Sequence, residues 1–227
     1  MKLGTALTES QKMVFDFMIQ SGNLEQFQKE ITSDQKLKNY LGTQISSLIL
    51  LCSTKTNDIN KSLALLIASK KQTKAFETYR VTSTLHRLTV SNEQFIPALY
   101  TSYELYADGY FFMETIGVQY GLSFTNTYFD FFEWDKLPES DKHKSMQKIF
   151  PTVQAEALKI IDWLTVKKIN IIGRKGKDGL CIYTDLRTVF ERLTSYDHQK
   201  IRSKRAEWLT LFKMAKRKIM LPHVRKK

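Results

Sequence analysis

Glycine and proline are scarce, nine and four in 227 residues. A β-sandwich needs such residues at every tight turn, so their shortage argues against one and for helices. There are only two cysteines, Cys52 and Cys181, far apart and with no CxxC spacing. A disulfide-stapled secreted scaffold is excluded, and two small apolar thiols in a reducing, cytoplasmic setting are expected. The longest apolar runs, near Leu48–Cys52 and Leu63–Ala68, fall well short of the ~20 residues that span a bilayer. Met1–Thr5 lacks the apolar run of a signal peptide, so no membrane partner is expected. None of the four histidines (His86, His143, His198 and His223) has a cysteine or carboxylate at a metal-ligand spacing. A GxSxG nucleophile elbow is missing as well. These absences predict a non-enzyme with no metal, no cofactor and no catalytic residues. The nearest approach to chemistry is Asp130, Glu133 and Asp135 with Lys136, a run that a metal-dependent nuclease could use but whose spacing is not diagnostic.

Lysine and arginine are also missing from Leu88 to Asp135, where aromatics crowd instead: 13 of the chain's 27 lie between Tyr100 and Trp134. Stacking on single-stranded nucleic acid needs cations among the rings, so this stretch reads as core or as a dimer surface. Tyr110–Phe112 and Leu122–Phe132 have strand-like composition, punctuated by Gly117 and Gly121. The apolar share of 42 % and aromatic share of 12 % exclude a mostly disordered chain.

What is present before that stretch is helical periodicity. Thr8-Glu9-Ser10-Gln11 has capping-box spacing ahead of Met13, Val14, Phe17 and Met18, with Gly22 as the stop. A short helix follows over Leu24–Ile31. Ser33 can cap a third helix carrying one stripe of Leu37, Leu41, Ile45, Leu48 and Leu51. Asn57 or Asp58 opens a fourth, with Ile59, Leu63, Leu66 and Ile67 inward. A helix over Gln72–Leu88 would hold Lys74, Arg80 and Arg87 outside, and Ser91-Asn92-Glu93-Gln94 repeats the capping-box spacing. Further on, Ser140-Asp141 caps a helix to Phe150, and Pro151 suits the first position of another, carrying Val153, Ala157, Ile160, Ile161 and Leu164. The organisation expected is a helical domain over 1–108, an aromatic core or dimerisation segment over 109–138 and a basic region over 139–227.

The chain carries a net charge of +12, yet Lys167–Lys227 alone holds 18 Lys and Arg against 5 Asp and Glu, a net of +13. The first 166 residues are therefore near neutral. A cationic concentration of that kind most often meets phosphate, because each neutralised phosphate releases condensed counterions. The region opens with Ile169–Ile172, a turn Gly173-Arg174-Lys175-Gly176-Lys177-Asp178-Gly179 and a second apolar run, Leu180–Thr184. Three glycines and an Asp-Gly pair between β-branched runs signal a hairpin. Thr184 or Asp185 can cap a helix from Leu186, with Val189, Phe190 and Leu193 on its apolar side. Asp197 can cap a longer one, with Ile201, Trp208, Phe212, Ala215 and Ile219 on one face. Arg202, Lys204, Arg205, Lys213, Lys216, Arg217 and Lys218 then fall on the other. The fold class expected is mainly α with a small β component (α+β): a helical N-terminal part, then a C-terminal β-hairpin and two helices.

The order strand Leu180–Thr184, helix Leu186–Ser195, helix His198–Lys218 resembles the ribbon-helix-helix fold of bacterial and phage DNA-binding proteins, on the apolar positions Leu186, Val189, Phe190, Leu193, Ile201 and Leu209. That resemblance implies a dimer whose paired strands enter the major groove, with either Cys181 and Tyr183 or Leu180, Ile182 and Thr184 facing the bases. Helix Thr152–Lys168 followed by the hairpin is also similar to the recognition helix and wing of a winged-helix domain, preceded by helix Asp141–Ile149. It implies Arg174, Lys175 and Lys177 at the wing tip. Both likenesses lead to a homodimeric, sequence-specific double-stranded DNA-binding protein, a transcriptional regulator of a bacterial or mobile-element system. The DNA-binding residues expected are Arg174, Lys175, Lys177, Tyr183, Arg202, Lys204, Arg205, Lys213, Lys216 and Arg217. A plasmid or phage replication or transfer initiator would use the same surface, and an RNA-binding protein or a metal-dependent nuclease is the alternative of another class.

Overall fold

The computed structural model describes residues 7–19, 23–53, 57–122 and 138–192. It is mainly α with one two-stranded antiparallel sheet, as the composition implies. Helix α1 (Glu9–Ile19) begins at the expected capping box: Gln11 N donates to Thr8 Oγ1 at 3.2 Å and Thr8 N to Gln11 Oε1 at 2.7 Å. Asn23 caps α2 (Leu24–Ser33) through Glu25 N and Gln26 N. The single stripe expected over Leu37–Leu51 is two helices, α3 (Gln35–Leu41) and α4 (Thr43–Leu51). Gly42, at φ 78° and ψ 162°, sits between them in a conformation that L side chains rarely adopt. The break resets the periodicity, so Leu37, Leu41 and Ile49 are buried while Leu51 is 87 % exposed. Asp34 rather than Ser33 caps α3, because the Ser33 hydroxyl donates back to Lys29 O. Helix α5 (Asn57–Ser69) buries Ile59, Leu63 and Ile67 and half-buries Leu66, as expected.

Helix α6 (Thr73–Leu88) joins two hydrophobic cores. Its first half sends Ala75, Phe76 and Tyr79 against the core of α1–α5; its second half sends Val81, Leu85 and Leu88 into another. Of the three cations expected outside, only Lys74 is exposed. The Arg80 and Arg87 side chains are 20 % and 18 % exposed and ion-paired, because neighbouring elements cover the flanks of the stripe. The box at Ser91–Gln94 does not form. Asn92 Oδ1 accepts from Gln94 N instead, and α7 (Phe95–Ala107) starts without a side-chain cap.

Tyr110–Phe112 is not a strand. A 3-10 turn (Phe111–Met113) and a π-helix (Thr115–Leu122) occupy this stretch. The reason lies in the glycines: a Cβ at Gly117 would stand 2.7 Å from Ser102 O, and one at Gly121 2.6 Å from Leu99 O. Their absence lets the π-helix lie against the backbone of α7. Tyr110 and Phe112 are buried in the second core, which favours the core reading for this part of the aromatic run. Residues 123–137, with Asp130, Glu133 and Asp135, lie outside the described residues. The two helices expected to meet at Pro151 are one, α8 (Glu139–Thr165). Phe150, Val153, Ala157, Ile160 and Leu164 all pack on the same core, with Phe150 edge-on to Phe95 at 5.3 Å. Keeping that stripe in register outweighs the one backbone bond that the exposed Pro151 cannot make.

Strands β1 (Ile169–Lys175) and β2 (Cys181–Asp185) form the expected hairpin, pairing Ile169 with Asp185, Asn170 with Thr184 and Ile171 with Tyr183. The second core runs unbroken from Val81 through Tyr110 and Val153 to Cys181, so it crosses the boundaries expected at 108 and 138. Compactness instead separates Met1–Leu186 from Arg187–Lys227. In the second unit, α9 (Val189–Arg192) is capped not by Thr184 or Asp185 but by a box in which Glu191 N donates to Thr188 Oγ1 and Thr188 N to Glu191 Oε2. The helix expected after Asp197 lies outside the described residues. No described helix is long and apolar enough to cross a membrane.

Candidate nucleic-acid interface

Burial alternates along β1 as far as Gly173: Ile169, Ile171 and Gly173 face in, Asn170 faces out, Ile172 is half-exposed, and Arg174 and Lys175 are exposed. Gly173 has φ +74°, and a Cβ there would stand 2.3 Å from Lys74 Cα and 2.6 Å from Lys74 N. The strand therefore crosses the first turn of α6 at backbone contact. Two extra residues on β1 between the Ile171–Tyr183 and Lys175–Cys181 pairs form an irregularity at this crossing. At the base of the hairpin, Leu186 N donates to Lys168 O at 2.7 Å. At the tip, Gly176 N donates to Leu180 O, and Asp178 Oδ1 accepts from Leu180 N. The tip's one carboxylate is thus turned onto its own backbone.

The other strand is fastened equally closely. Cys181 N donates to Asp108 O at 2.7 Å, and Gly109 (φ +106°) leaves room where a Cβ would meet Leu180 Cβ at 2.8 Å. Beneath this contact lies a polar cluster that sequence reasoning missed. Arg80 Nη2 donates to Asp108 at 2.7 Å and to Glu77 at 3.1 Å, and Tyr110 OH donates to Glu77 at 3.0 Å. Burial alone would lower the Arg80 pKa, but Glu77 and Asp108 outweigh it and hold the guanidinium above its ordinary value. Burial, reinforced by the Glu77 charge, raises both the Tyr110 hydroxyl and the Cys181 thiol. A thiol held neutral is a poor nucleophile. Among the described residues no three His, Cys, Asp or Glu converge as a metal ion would require.

Arg174, Lys175 and Lys177 are all exposed on the distal half of this fixed hairpin, and no carboxylate among the described residues pairs with them. A shallow groove of about 480 Å³ runs beside the tip, with Lys177 and Asp178 together with Phe111 and Ile182 among its lining residues. Tyr183 also lines this groove, from the inward face of β2. It is half-buried, with its ring edge-on to Phe112 at 5.0 Å and tilted to Tyr110 at 6.1 Å. Cys181 is buried beside it. The pair drawn from the ribbon-helix-helix likeness therefore points into the core, and Ile182 and Thr184 are the exposed members of β2. In that family the strand pairs with a partner's copy. Here β2 pairs with β1 of the same chain and meets Asp108 at its far end. The winged-helix likeness loses its separate preceding helix, since α8 is continuous through Pro151. Arg202, Lys204, Arg205, Lys213, Lys216 and Arg217 lie outside the described residues.

Sequence reasoning named Thr184 in one of its two strand sets but missed Asn170, which lies directly opposite it in the ladder. The apolar alternation of β1 marks Asn170 as outward; only the register shows Thr184 across from it. Comparison with known proteins finds no matching family model, no similar curated protein and no similar solved structure.

Proposed function

We propose that this chain is a non-enzymatic, sequence-specific double-stranded DNA-binding protein that acts as a homodimeric transcriptional regulator in the cytoplasm. One observation carries the reading: three exposed cations, without carboxylate partners among the described residues, stand on a hairpin that backbone contacts and a half-buried ion cluster hold to the core. A two-stranded ribbon is narrow enough for a major groove ~12 Å wide. Fixed cations on such a ribbon contact phosphate without first losing the freedom of a loose loop. The outward Asn170 and Thr184 supply polar groups that can meet base edges, while Arg174, Lys175 and Lys177 position the ribbon. Phosphate contacts from the second unit, at Arg202, Lys204, Arg205, Lys213, Lys216 and Arg217, belong to the same proposal.

A shift assay on random duplex pools tests it. Affinity should fall steeply with salt. Replacing Arg174, Lys175 and Lys177 together by alanine removes three ion releases, lowering the salt slope by about 2.7 and the affinity by about 500-fold at 0.1 M salt. Binding that is indifferent to salt, or unchanged in the triple variant, refutes the reading. Structured RNA competing as well as duplex DNA would also refute it, because the deep A-form groove does not admit a ribbon.

A further inference from the structure

We infer that Lys74, on the first turn of α6, is a fourth phosphate-binding cation of the hairpin surface, so that the polyanion rests on the helical layer as well as on the ribbon. The inference rests on the duplex-binding reading above and extends its surface to an element that the charge distribution of the sequence leaves out.

The geometry is specific. Lys74 is exposed, and its ammonium lies 3.5 Å from Asn170 Oδ1, 96 residues away in the chain. Asn170 is on the outward face of β1, with Thr184 opposite it. Arg174, beyond the buried Gly173, starts on that same outward side. The ammonium and the guanidinium therefore flank one face of the ribbon. Arg174 lies four positions beyond Asn170, a rise of at most about 13 Å, because the irregularity between Ile171 and Lys175 shortens the strand there. No carboxylate among the described residues pairs with Lys74, and its neighbour Asn170 carries no charge to compete with an incoming phosphate.

The position is also fixed rather than fortuitous. A Cβ at Gly173 would clash with Lys74 Cα, N and Cβ at 2.3, 2.6 and 2.9 Å, so only glycine lets the strand lie this close to the helix turn. Side-chain replacement beyond Cβ leaves that contact intact, which makes the test clean. Lys74→Gln should melt with the parent protein. It should bind duplex DNA about eightfold more weakly at 0.1 M salt, with the salt slope lower by about 0.9, the signature of one lost ion release. Lys74→Arg should restore both affinity and slope. Lys36→Gln, at an exposed position of α3, serves as the charge-matched control and should leave the slope unchanged. If Lys74→Gln binds like the parent while the Arg174, Lys175 and Lys177 triple variant does not, Lys74 is no contact and the inference falls while the hairpin reading stands. If the intact protein binds no duplex at low salt, both fall together.

Discussion

Replacing Gly173 by alanine tests whether the hairpin is held by backbone contact with α6. Two costs add at this position. The backbone sits at φ +74°, where a Cβ costs about 1–2 kcal/mol. That Cβ would also stand 2.3 Å from Lys74 Cα, so the strand must retreat by about an ångström from the helix, an overpacking cost of about 1–3 kcal/mol. The stiffer unfolded chain returns about 0.4–1 kcal/mol. The net is a loss of about 1–4.6 kcal/mol, or about 2–18 °C in Tm for a chain of this size. Gly179 supplies the internal reference. It has φ +81° with nothing within 4 Å of the added Cβ, so Gly179→Ala carries only the conformational cost, about 1 kcal/mol net. Scanning calorimetry and urea titration of the two variants side by side isolate the steric part. Equal losses at the two positions would show that the strand does not cross α6 at backbone distance, and the argument for a fixed ribbon would go with it.

Two further outcomes concern the scaffold. Pro151→Ala should stabilise the protein by about 2 kcal/mol: an interior proline costs a helix about 3 kcal/mol, and the freer unfolded chain takes back up to about 1. A lower Tm in this variant would mean that α8 is not continuous there. Tyr79 donates to Asp16 at 3.0 Å, and burial, then the Asp16 charge, pushes its pKa from 10.0 up to about 12. The fold thus favours the neutral phenol, so its contribution is complete below pH 10 and is lost as pH rises from 10 to 12. Melting curves of the parent and Tyr79→Phe across that window should converge as pH rises, and parallel curves would contradict the assignment.

Much of the fold was legible because it depends on neighbours in sequence. The Thr8–Gln11 box, the stripe Ile59, Leu63, Ile67 and the hairpin with its Gly-rich turn are local patterns, and each stands where its spacing puts it. The errors share one cause, which is that a pattern cannot report what packs against it. The stripe from Leu37 to Leu51 has perfect helical spacing, yet Gly42 breaks it. Pro151 has the signature of a helix start, yet the core on both sides of it carries one helix through. Arg80 looks like a surface cation until Asp108, 28 residues on, is brought to it. Tyr183 reads as an open strand residue until the rings of Tyr110 and Phe112 are found against it.

The sequence by itself determined that the chain is mainly helical, that a hairpin stands near residue 175 and that the hairpin is cationic. These follow from backbone propensity, side-chain period and charge count, all of which are properties of short stretches. Only the tertiary structure decided that Lys74 belongs beside the ribbon and that Asp108 fastens its second strand. Those depend on contacts between residues about a hundred positions apart, which form because Gly173 and Gly109 let backbones approach where any side chain would hold them off.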